Sequence, residues 1–330
     1  MKDQEQILTA RVTAVHRERY QLSCDRGELY ARLKTKEYYL AQAQFPTVGD
    51  YVTVRYMETG DSLILSTLPR RTVFTRREPG PIPREQAVAA NFDYVFILQS
   101  LNQDFNPKRL ERYLTLAWQS GAEPVVLLTK ADLVEDHWEY LTAAERVAMG
   151  VAIHSISAHS GYGFQRLNAY LQPGKTVVFL GSSGVGKSSL VNALAGEELM
   201  AVSAIREDDS KGRHTTTHRQ LLRLRSGAAI IDTPGMRELG MWEASEGLTE
   251  AFADVQAYLG RCRFSDCTHT REPGCAIRAA IDRGELDPVR WERYKKLKEE
   301  AVDKSELLRR KQEWSKGVAK FSRNRNKEVW

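Results

Sequence analysis

The stretch TVVFLGSSGVGKSSLVNALAG, residues 176–196, decides the fold of this chain. The apolar run Thr176–Leu180 is typical of a buried strand, and it leads into a glycine-rich turn and a helix predicted over Ser188–Ala195. The turn itself, Gly181–Ser188, matches the pattern G-x-x-x-x-G-K-[ST] at every position. A strand, a glycine-rich turn and a helix in this order predict a phosphate-binding loop within an α/β sheet.

The residue types of this loop suit the binding of a nucleoside triphosphate. Glycines allow consecutive backbone N–H groups to face phosphate oxygens, and the following helix adds the positive end of its dipole. Lys187 supplies a point charge to the β- and γ-phosphates, and the Ser188 hydroxyl can bind Mg²⁺. The residues predicted to hold the nucleotide here are Gly181, Ser182, Ser183, Gly184, Val185, Gly186, Lys187, Ser188 and Ser189.

Two downstream segments have the features of a nucleotide switch. Asp232 follows the apolar run Ala228–Ile231, so its carboxylate can hold Mg²⁺ through water, and the N–H of Gly235 can bind the γ-phosphate. The polar stretch Ser203–His218 lies before this motif, and loops of such length within a compact domain are usually functional. In nucleotide switches such a loop offers a threonine hydroxyl to Mg²⁺. Taken alone, both segments also fit an ordinary surface loop.

A candidate base-recognition motif, T-K-A-D at residues 129–132, lies upstream of the phosphate loop. Asp132 can accept hydrogen bonds from both guanine donors, N1–H and the 2-amino group, while the stem of Lys130 can lie along the base. Ser157-Ala158 can place a backbone N–H near the guanine oxygen. Each motif is a weak signal alone. Because each follows a predicted strand, and α/β sheets bind ligands at the carboxyl ends of their strands, together with Thr129 they predict one guanine pocket.

The residues before this domain predict a small β-barrel over 1–70. Short runs of alternating apolar residues, split by turn residues, indicate about five strands and a closed barrel of OB type. An SH3-like barrel would give much the same pattern. The segment Pro69–Gln86 is rich in Pro and Arg and cannot form a regular helix or an internal strand, so we predict a linker over residues 71–90.

Strands and helices alternate over residues 91–242. Pro107 is expected to open a helix that ends before Gly121. The alternation implies a doubly wound parallel sheet. The predicted strands are Tyr94–Gln99, Pro124–Leu128, Val151–Ile156, Thr176–Leu180, Gln220–Leu224 and Ala228–Ile231.

A cluster of cysteines marks a third region, residues 243–330. Cys262, Cys267 and Cys275 fall within 14 residues, with His269 among them. Three thiolates and one imidazole can fill a tetrahedron around Zn²⁺ and leave no open catalytic position. Disulfides or free thiols are the alternatives, and a reducing cytosol disfavours the disulfides. We therefore predict a structural zinc site.

Composition and charge indicate the partners. The chain is 42% hydrophobic and 28% charged, no apolar run approaches the ~20 residues of a membrane helix, and no signal sequence opens it, so we expect a cytoplasmic protein without membrane contact. Residues 291–330 carry 13 Lys and Arg against 7 acidic residues, an excess greater than the net +5 of the whole chain. This basic tail, predicted helical over Val289–Lys316, indicates either a nucleic-acid contact or a solvated helix face. No coiled-coil seam argues for a dimer, so we expect a monomer.

The set of motifs resembles the ribosome small-subunit-dependent GTPase family, RsgA, in which the GTPase motifs are circularly permuted. The resemblance rests on GSSGVGKSS, GRHTTTH, DTPGM and the Cys/His spacing, and it covers nearly all of the chain. It implies that the protein hydrolyses GTP to GDP and phosphate, with turnover stimulated by the small (30S) ribosomal subunit, during late assembly of that subunit. It also implies one structural Zn²⁺, Mg²⁺ bound with GTP, and rRNA gripped by the barrel, the zinc module and the tail.

The resemblance also implies roles for single residues. Thr216 would bind Mg²⁺ together with Ser188, and His214 would be the catalytic histidine, with Lys187 and Gly235 acting on the phosphates.

Two positions depart from common GTPase patterns. Met236 stands where many GTPases place a water-orienting glutamine, so slow intrinsic turnover is expected until a partner recruits His214. Thr129 replaces the usual asparagine of the base motif, so one contact to the base or to the phosphate loop is expected to be lost. Asp132 still favours GTP over ATP.

Two other functions remain compatible with the residues. A P-loop ATPase or kinase would make the T-K-A-D motif coincidental, and competition between GTP and ATP separates it from a GTPase. An RNA-binding scaffold with a vestigial nucleotide site would show no change in hydrolysis when small subunits are added.

Overall fold

The computed structural model describes residues 6–16, 19–34, 38, 44–77, 85–200, 219–232 and 244–301. The chain divides into two compact units, Met1–Arg76 with Glu85–Leu239, and Arg77–Arg84 with Gly240–Trp330. The domain boundaries drawn from the sequence stay predictions, since the barrel and the α/β domain fall in one unit. No helix in the described part of the chain is long and apolar enough to cross a membrane.

The N-terminal strands form the closed five-stranded barrel expected from the sequence. Sheet pairing runs β1-β2-β3-β5-β4 and closes where β4 pairs antiparallel with β1. Alternate residues point inward, so that Val12, Leu22, Val52, Val54 and Ile64 are at most 1% exposed. The strands are β1 (Ile7–Val15), β2 (Tyr20–Cys24), β3 (Gly27–Leu33), β4 (Tyr51–Arg55) and β5 (Ser62–Thr67).

The α/β domain places six strands in the order β10-β9-β8-β11-β13-β12. Five of them are parallel, as predicted. Four of these are buried almost throughout, while the edge strand β10 is only partly buried. The strands are β8 (Tyr94–Ser100), β9 (Glu123–Thr129), β10 (Ala152–Ser155), β11 (Thr176–Gly181), β12 (Gln220–Arg223) and β13 (Ala229–Asp232).

The strand β12 departs from the predicted parallel arrangement, because it pairs antiparallel with β13. The physical reason is the short connection between the two strands. Leu224 N–H donates to Ala228 O at 2.8 Å, and Gly227 has a φ of 83°, so the chain reverses within a tight hairpin. Parallel neighbours would need a crossover of a dozen or more residues.

The helices of this unit are α1 (Pro107–Gln119), α2 (Trp138–Glu145) and α3 (Lys187–Ala195), with 3₁₀ turns at Ala131–Leu133 and Phe164–Ala169. Helix α1 begins at the predicted Pro107, and the Asn106 side chain accepts hydrogen bonds from the first-turn N–H groups of Lys108 and Arg109. Leu110 and Leu114 on one face of this helix are buried.

The predicted linker contains regular structure that the sequence analysis did not anticipate. Strands β6 (Val73–Arg77) and β7 (Glu85–Ala90) form a separate two-stranded sheet. Each strand has an unpaired edge, which agrees with the expectation that this segment holds no internal strand. Phe74 of β6 stacks on Phe92 at a centroid distance of 4.8 Å, so the ribbon is packed onto the chain that enters the α/β domain.

The barrel and the α/β sheet are joined within one unit. Strand β1 pairs antiparallel with β12 at Ala14 and Gln220, so the sheets form one continuous 11-stranded sheet. Beside this pairing, Arg11 Nη2 donates to Asn91 O and to Thr176 Oγ1, both at 2.9 Å. One barrel side chain therefore bonds to residues next to the start of two strands of the α/β domain.

The second unit is helical around the Cys/His cluster. Its elements are α4 (Ser245–Ala251), α5 (Ala253–Gln256), α6 (Ala276–Asp282) and a further helix at 288–301. Asp287 Oδ1 accepts the N–H of Val289 at 2.8 Å, which confirms that the last helix starts at Asp287-Pro288. Residues 302–330, which hold most of the basic tail, lie outside the described residues.

Candidate functional site: a nucleotide pocket and a metal centre

The glycine-rich turn lies between β11 and α3, as the sequence predicted. Gly184 and Gly186 have φ values of 71° and 103°, a region that side chains other than glycine rarely adopt. A Cβ on Gly181 would lie 2.9 Å from Val185 Cγ1 and 3.2 Å from Leu98. The turn therefore needs glycine both for its backbone conformation and for its close packing on β8.

The lysine of this loop lies against the loop's own backbone. Lys187 Nζ donates to Gly181 O at 2.9 Å and to Ser182 O at 2.7 Å. Because the first turn of α3 leaves backbone N–H groups without helical partners, the same end of the helix can accept an anion. Lys187 thus lies beside the N-terminus of α3, within reach of a phosphate bound there.

Asp232 ends β13, two strands along the sheet from β8, at the same carboxyl edge as the loop. Burial raises the pKa of this carboxyl group, and the positive charge of Lys187 partly offsets that rise. A second positive charge, such as a metal ion, would stabilise the ionised form further.

The base motif meets the phosphate loop through Thr129. The Thr129 hydroxyl donates to Val185 O at 2.7 Å, across 56 positions of the chain, and both residues are buried. The Thr129 hydroxyl therefore keeps a contact with the phosphate loop, and the expected loss of a contact to the base stays a prediction. Lys130 then adopts φ 61° and ψ 37°, a strained turn that redirects the chain at the end of β9.

Asp132 is exposed beyond that turn and is held by the second predicted motif. The Ser157 hydroxyl donates to Asp132 Oδ1 and accepts the backbone N–H groups of His159 and Ser160. The hydrogen bond from Ser157 lowers the pKa of Asp132. The carboxylate is therefore ionised and oriented, ready to accept two donors in one plane. Ala158 is half-buried beside Ser157.

Several predicted site residues lie outside the described residues. These are His214 and Thr216 in the polar stretch, and Gly235 after β13. Their predicted roles stay predictions.

The loop that follows β8 adds a residue that sequence reasoning missed. Asp104 accepts a hydrogen bond from the Ser182 hydroxyl of the phosphate loop at 2.7 Å. No local motif announces this contact, because it depends on β8 lying next to β11 in the sheet.

The four predicted metal ligands in the second unit lie together. The ligand atoms of Cys262, Cys267, His269 and Cys275 are all within 4.8 Å of one another. Cys262 Sγ lies 4.0 Å from Cys275 Sγ and 3.4 Å from His269 Nδ1. Tetrahedral Zn²⁺, with bonds of ~2.3 Å to sulfur and ~2.0 Å to nitrogen, requires ligand separations of roughly 3.5–3.8 Å. The group therefore fits a metal ion of this kind.

The backbone around this group holds the ligands in place. His269 has a φ of 61°, which permits the short step from Cys267, and Gly274 could not carry a Cβ because it would lie 2.9 Å from Arg263 Cβ. Ala276 N–H donates to Cys262 Sγ at 3.3 Å. Burial opposes ionisation of Cys262, but this N–H and the neighbouring thiols outweigh it and lower its pKa.

The fold and the site together define a class of protein. The sheet brings the phosphate loop and the predicted guanine motif to one edge, and the predicted guanine motif comes first along the chain. That is the arrangement of a circularly permuted GTPase. The family model described as RsgA GTPase matches residues 67–242, and this chain belongs to the RsgA GTPase family.

Relatives of known name agree with this assignment. Small ribosomal subunit biogenesis GTPase RsgA 1 of Listeria monocytogenes is 50% identical over 291 residues, which covers 88% of this chain and 82% of that protein. RsgA 2 of Vibrio parahaemolyticus, with the same description, is 40% identical over 98% of this chain and 88% of its own length. The crystal structure of YjeQ from Thermotoga maritima matches with a TM-score of 0.65 and 28% identity, over 88% of this chain and 97% of that one.

Proposed function

We propose that this GTPase acts in the biogenesis of the small ribosomal subunit, hydrolysing GTP to GDP and phosphate with turnover stimulated by that subunit. The main support for a single nucleotide pocket is the hydrogen bond from the Thr129 hydroxyl to Val185 O, which connects the predicted base motif to the phosphate loop. The names of relatives at 40–50% identity over most of the chain support the ribosomal role.

One group of pocket residues would bind the guanine base, and another would bind the phosphates. Asp132, oriented by Ser157, would accept the guanine N1–H and 2-amino donors, and Lys130 would lie along the base. The backbone of Gly181–Ser189 and the charge of Lys187 would hold the phosphates. Because a carboxylate that Ser157 orients to accept two donors is left unpaired by a base without those donors, GTP is favoured over ATP.

Two metal ions belong to this proposal. Mg²⁺ would accompany GTP on Ser188, Thr216 and Asp232, where it neutralises phosphate charge. Zn²⁺ would be held by Cys262, Cys267, His269 and Cys275 and would stabilise the second unit without taking part in hydrolysis. Thr216, like His214 as the catalytic histidine, rests on the family resemblance.

The barrel supplies a surface for RNA contact. Arg19 lies over the ring of Tyr30 at 4.4 Å, and Arg26 lies over the ring of Tyr56 at 4.8 Å. Planar guanidinium groups on aromatic rings suit stacking with unpaired bases and pairing with phosphates. We propose that these two barrel pairs, with the zinc module and the basic tail, bind rRNA of the small subunit, and that the protein works as a cytoplasmic monomer.

The experiment that tests the proposal measures GTP turnover with and without purified small subunits. We expect slow turnover alone, a rise of more than tenfold with subunits, and loss of both in Lys187→Ala. The matched control is Glu139→Ala, which removes an exposed carboxylate of α2 and should behave as wild type. Equal binding of GTP and ATP, or turnover that ignores the subunits, would contradict the proposal.

A further inference from the structure

The loop between β8 and α1, residues 101–106, lies next to the phosphate loop for a topological reason. Strands β8 and β11 are parallel neighbours, with Leu98 opposite Gly181. The loops that follow them therefore leave the sheet at the same edge, side by side. Asp104 of the first loop accepts the hydroxyl of Ser182 in the second at 2.7 Å.

Asp104 is itself held from the opposite side. Arg109, in the first turn of α1, forms an ion pair with Asp104 Oδ2 at 2.9 Å and donates to Oδ1 at 3.1 Å. Arg109 Nη2 also lies 3.5 Å from Oε1 of Gln99, a fully buried side chain of β8. A chain of contacts thus runs from the core of the sheet through Gln99, Arg109 and Asp104 to Ser182.

The backbone of the loop adds to this support. Asn102 Oδ1 accepts the hydroxyl of Ser100 at 2.8 Å and the N–H of Asp104 at 3.0 Å. Partial burial raises the pKa of Asp104, but the hydrogen bonds from Ser182 and Arg109 outweigh this and lower it. Asp104 is consequently an ionised acceptor on a fixed turn rather than a free surface carboxylate.

The same stretch of phosphate loop has a second attachment, through the lysine. Lys187 Nζ donates to the carbonyls of Gly181 and Ser182. The bond from the Ser182 side chain to Asp104 does not involve the lysine. It would therefore hold the loop in its phosphate-binding shape whether Lys187 contacts the loop carbonyls or a phosphate.

We propose that Asp104 is a positioning residue for GTP binding, which holds the phosphate loop through Ser182 in the shape that receives the phosphates. This inference rests on the proposed nucleotide site. Its effect falls on binding of the phosphates in ground state and transition state alike, so KM changes and kcat does not.

The test is steady-state GTP turnover by the full chain, with KM and kcat determined separately for each variant. Asp104→Ala and Ser182→Ala should each raise KM roughly fivefold, as expected for one partly exposed hydrogen bond to a charge, with kcat within twofold of wild type. The double variant should show no larger change than either single one, because both remove the same contact. Asp104→Asn keeps an acceptor for Ser182 and should restore KM.

The outcomes separate this inference from the proposed function. An unchanged KM in Asp104→Ala, additive effects in the double variant, or an Asp104→Asn variant as weak as Asp104→Ala would overturn the positioning role while wild-type turnover stood. A wild-type protein that bound no GTP would overturn both. Glu139→Ala is the matched carboxylate control, and thermal unfolding of each variant checks that a change in KM does not follow a loss of fold.

Discussion

At the scale of single residues, the site is decided by hydrogen bonds that join distant parts of the chain. Thr129 shows this best, since its hydroxyl contacts the phosphate loop from a position where asparagine is usual in this motif. The bond from Thr129 to Val185 O is buried, so its loss would leave a carbonyl without a partner in the core. Such a buried acceptor costs more than an exposed one.

Thr129→Val should therefore weaken GTP binding about tenfold. Valine has the shape of threonine but cannot donate, and an unsatisfied buried carbonyl costs roughly 1–3 kcal/mol. Titration with a fluorescent GTP analogue measures the effect, and Thr129→Ser, which keeps the hydroxyl, is the control. Equal affinity of the valine variant and wild type would contradict the role given to this bond.

Asp132→Asn should exchange guanine for xanthine as the preferred base. An amide can donate to the 2-oxygen of xanthine but cannot accept both guanine donors, so we expect GTP affinity to fall by more than a hundredfold. In the wild-type protein, the lowered pKa of Asp132 keeps the carboxylate ionised as pH falls to 5, so no loss of GTP affinity from this group is expected above that value. Competition binding with GTP and xanthosine triphosphate at pH 5 and pH 8 checks both statements.

At the scale of elements, the residue before a helix fixes where it starts. Helix α1 is capped by Asn106, which closes the loop that carries Asp104, and helix α6 begins immediately after the predicted metal ligand Cys275. The first helix is stabilised by a side-chain oxygen, while the second follows directly on the Cys/His cluster.

Asn106→Ala should lower the free energy of unfolding by about 1 kcal/mol. The side chain accepts the N–H groups of Lys108 and Arg109, two donors that have no partner within the helix. Urea unfolding of the variant and of Asn106→Asp, which keeps the cap, measures the difference. A cap variant as stable as wild type would show that α1 is held by packing alone.

Removal of metal by a chelator should unfold the second unit and leave the first folded. Without an ion, weak sulfur hydrogen bonds would have to hold together three thiols and an imidazole that lie within 4.8 Å of one another. Metal-bound thiolates contribute folding free energy directly. Circular dichroism and thiol titration should change together on chelation, and added Zn²⁺ should reverse both. Chelation without any spectral change would argue against a structural metal.

At the scale of the whole molecule, the first unit is one body built on a continuous sheet. Strand β1 of the barrel pairs with β12, and Arg11 bonds to backbone or side chain at Gly49, Asn91 and Thr176. One side of this junction is strand β12. In the sequence, β12 follows the polar stretch Ser203–His218, which is predicted to close over the γ-phosphate. The barrel and the nucleotide domain therefore share structural elements and do not simply adjoin.

Arg11→Met should separate the unfolding of the barrel from that of the nucleotide domain. The variant keeps an apolar stem but removes the donor to Asn91 O and Thr176 Oγ1, while Gly49 O keeps the Asn91 amide as a donor. We expect a cost of roughly 2–4 kcal/mol. Calorimetry should show a lower Tm and a broadened or double transition for the first unit. Arg32→Met, which removes an exposed arginine of the barrel, is the control. A single, unshifted transition in Arg11→Met would contradict a role for this junction.

The sequence by itself determined the motifs and most of the strands, which are contiguous in the chain. The phosphate loop, the Cys/His spacing, the five barrel strands and the parallel strands could be predicted because glycine pattern, ligand spacing and apolar periodicity act over a few neighbouring residues. The antiparallel pairing of β12 with β13 was not predicted because apolar periodicity does not give strand direction, although the short connection between the two predicted strands excludes a parallel pair.

Only the tertiary structure decided which of these pieces meet. The contact of Thr129 with Val185 spans 56 positions and that of Asp104 with Ser182 spans 78, and both depend on the order of strands in the sheet. The same strand order places β1 of the barrel beside β12 of the α/β domain. Strand order is set by packing of the whole chain, and a pattern of nearby residues carries no information about it.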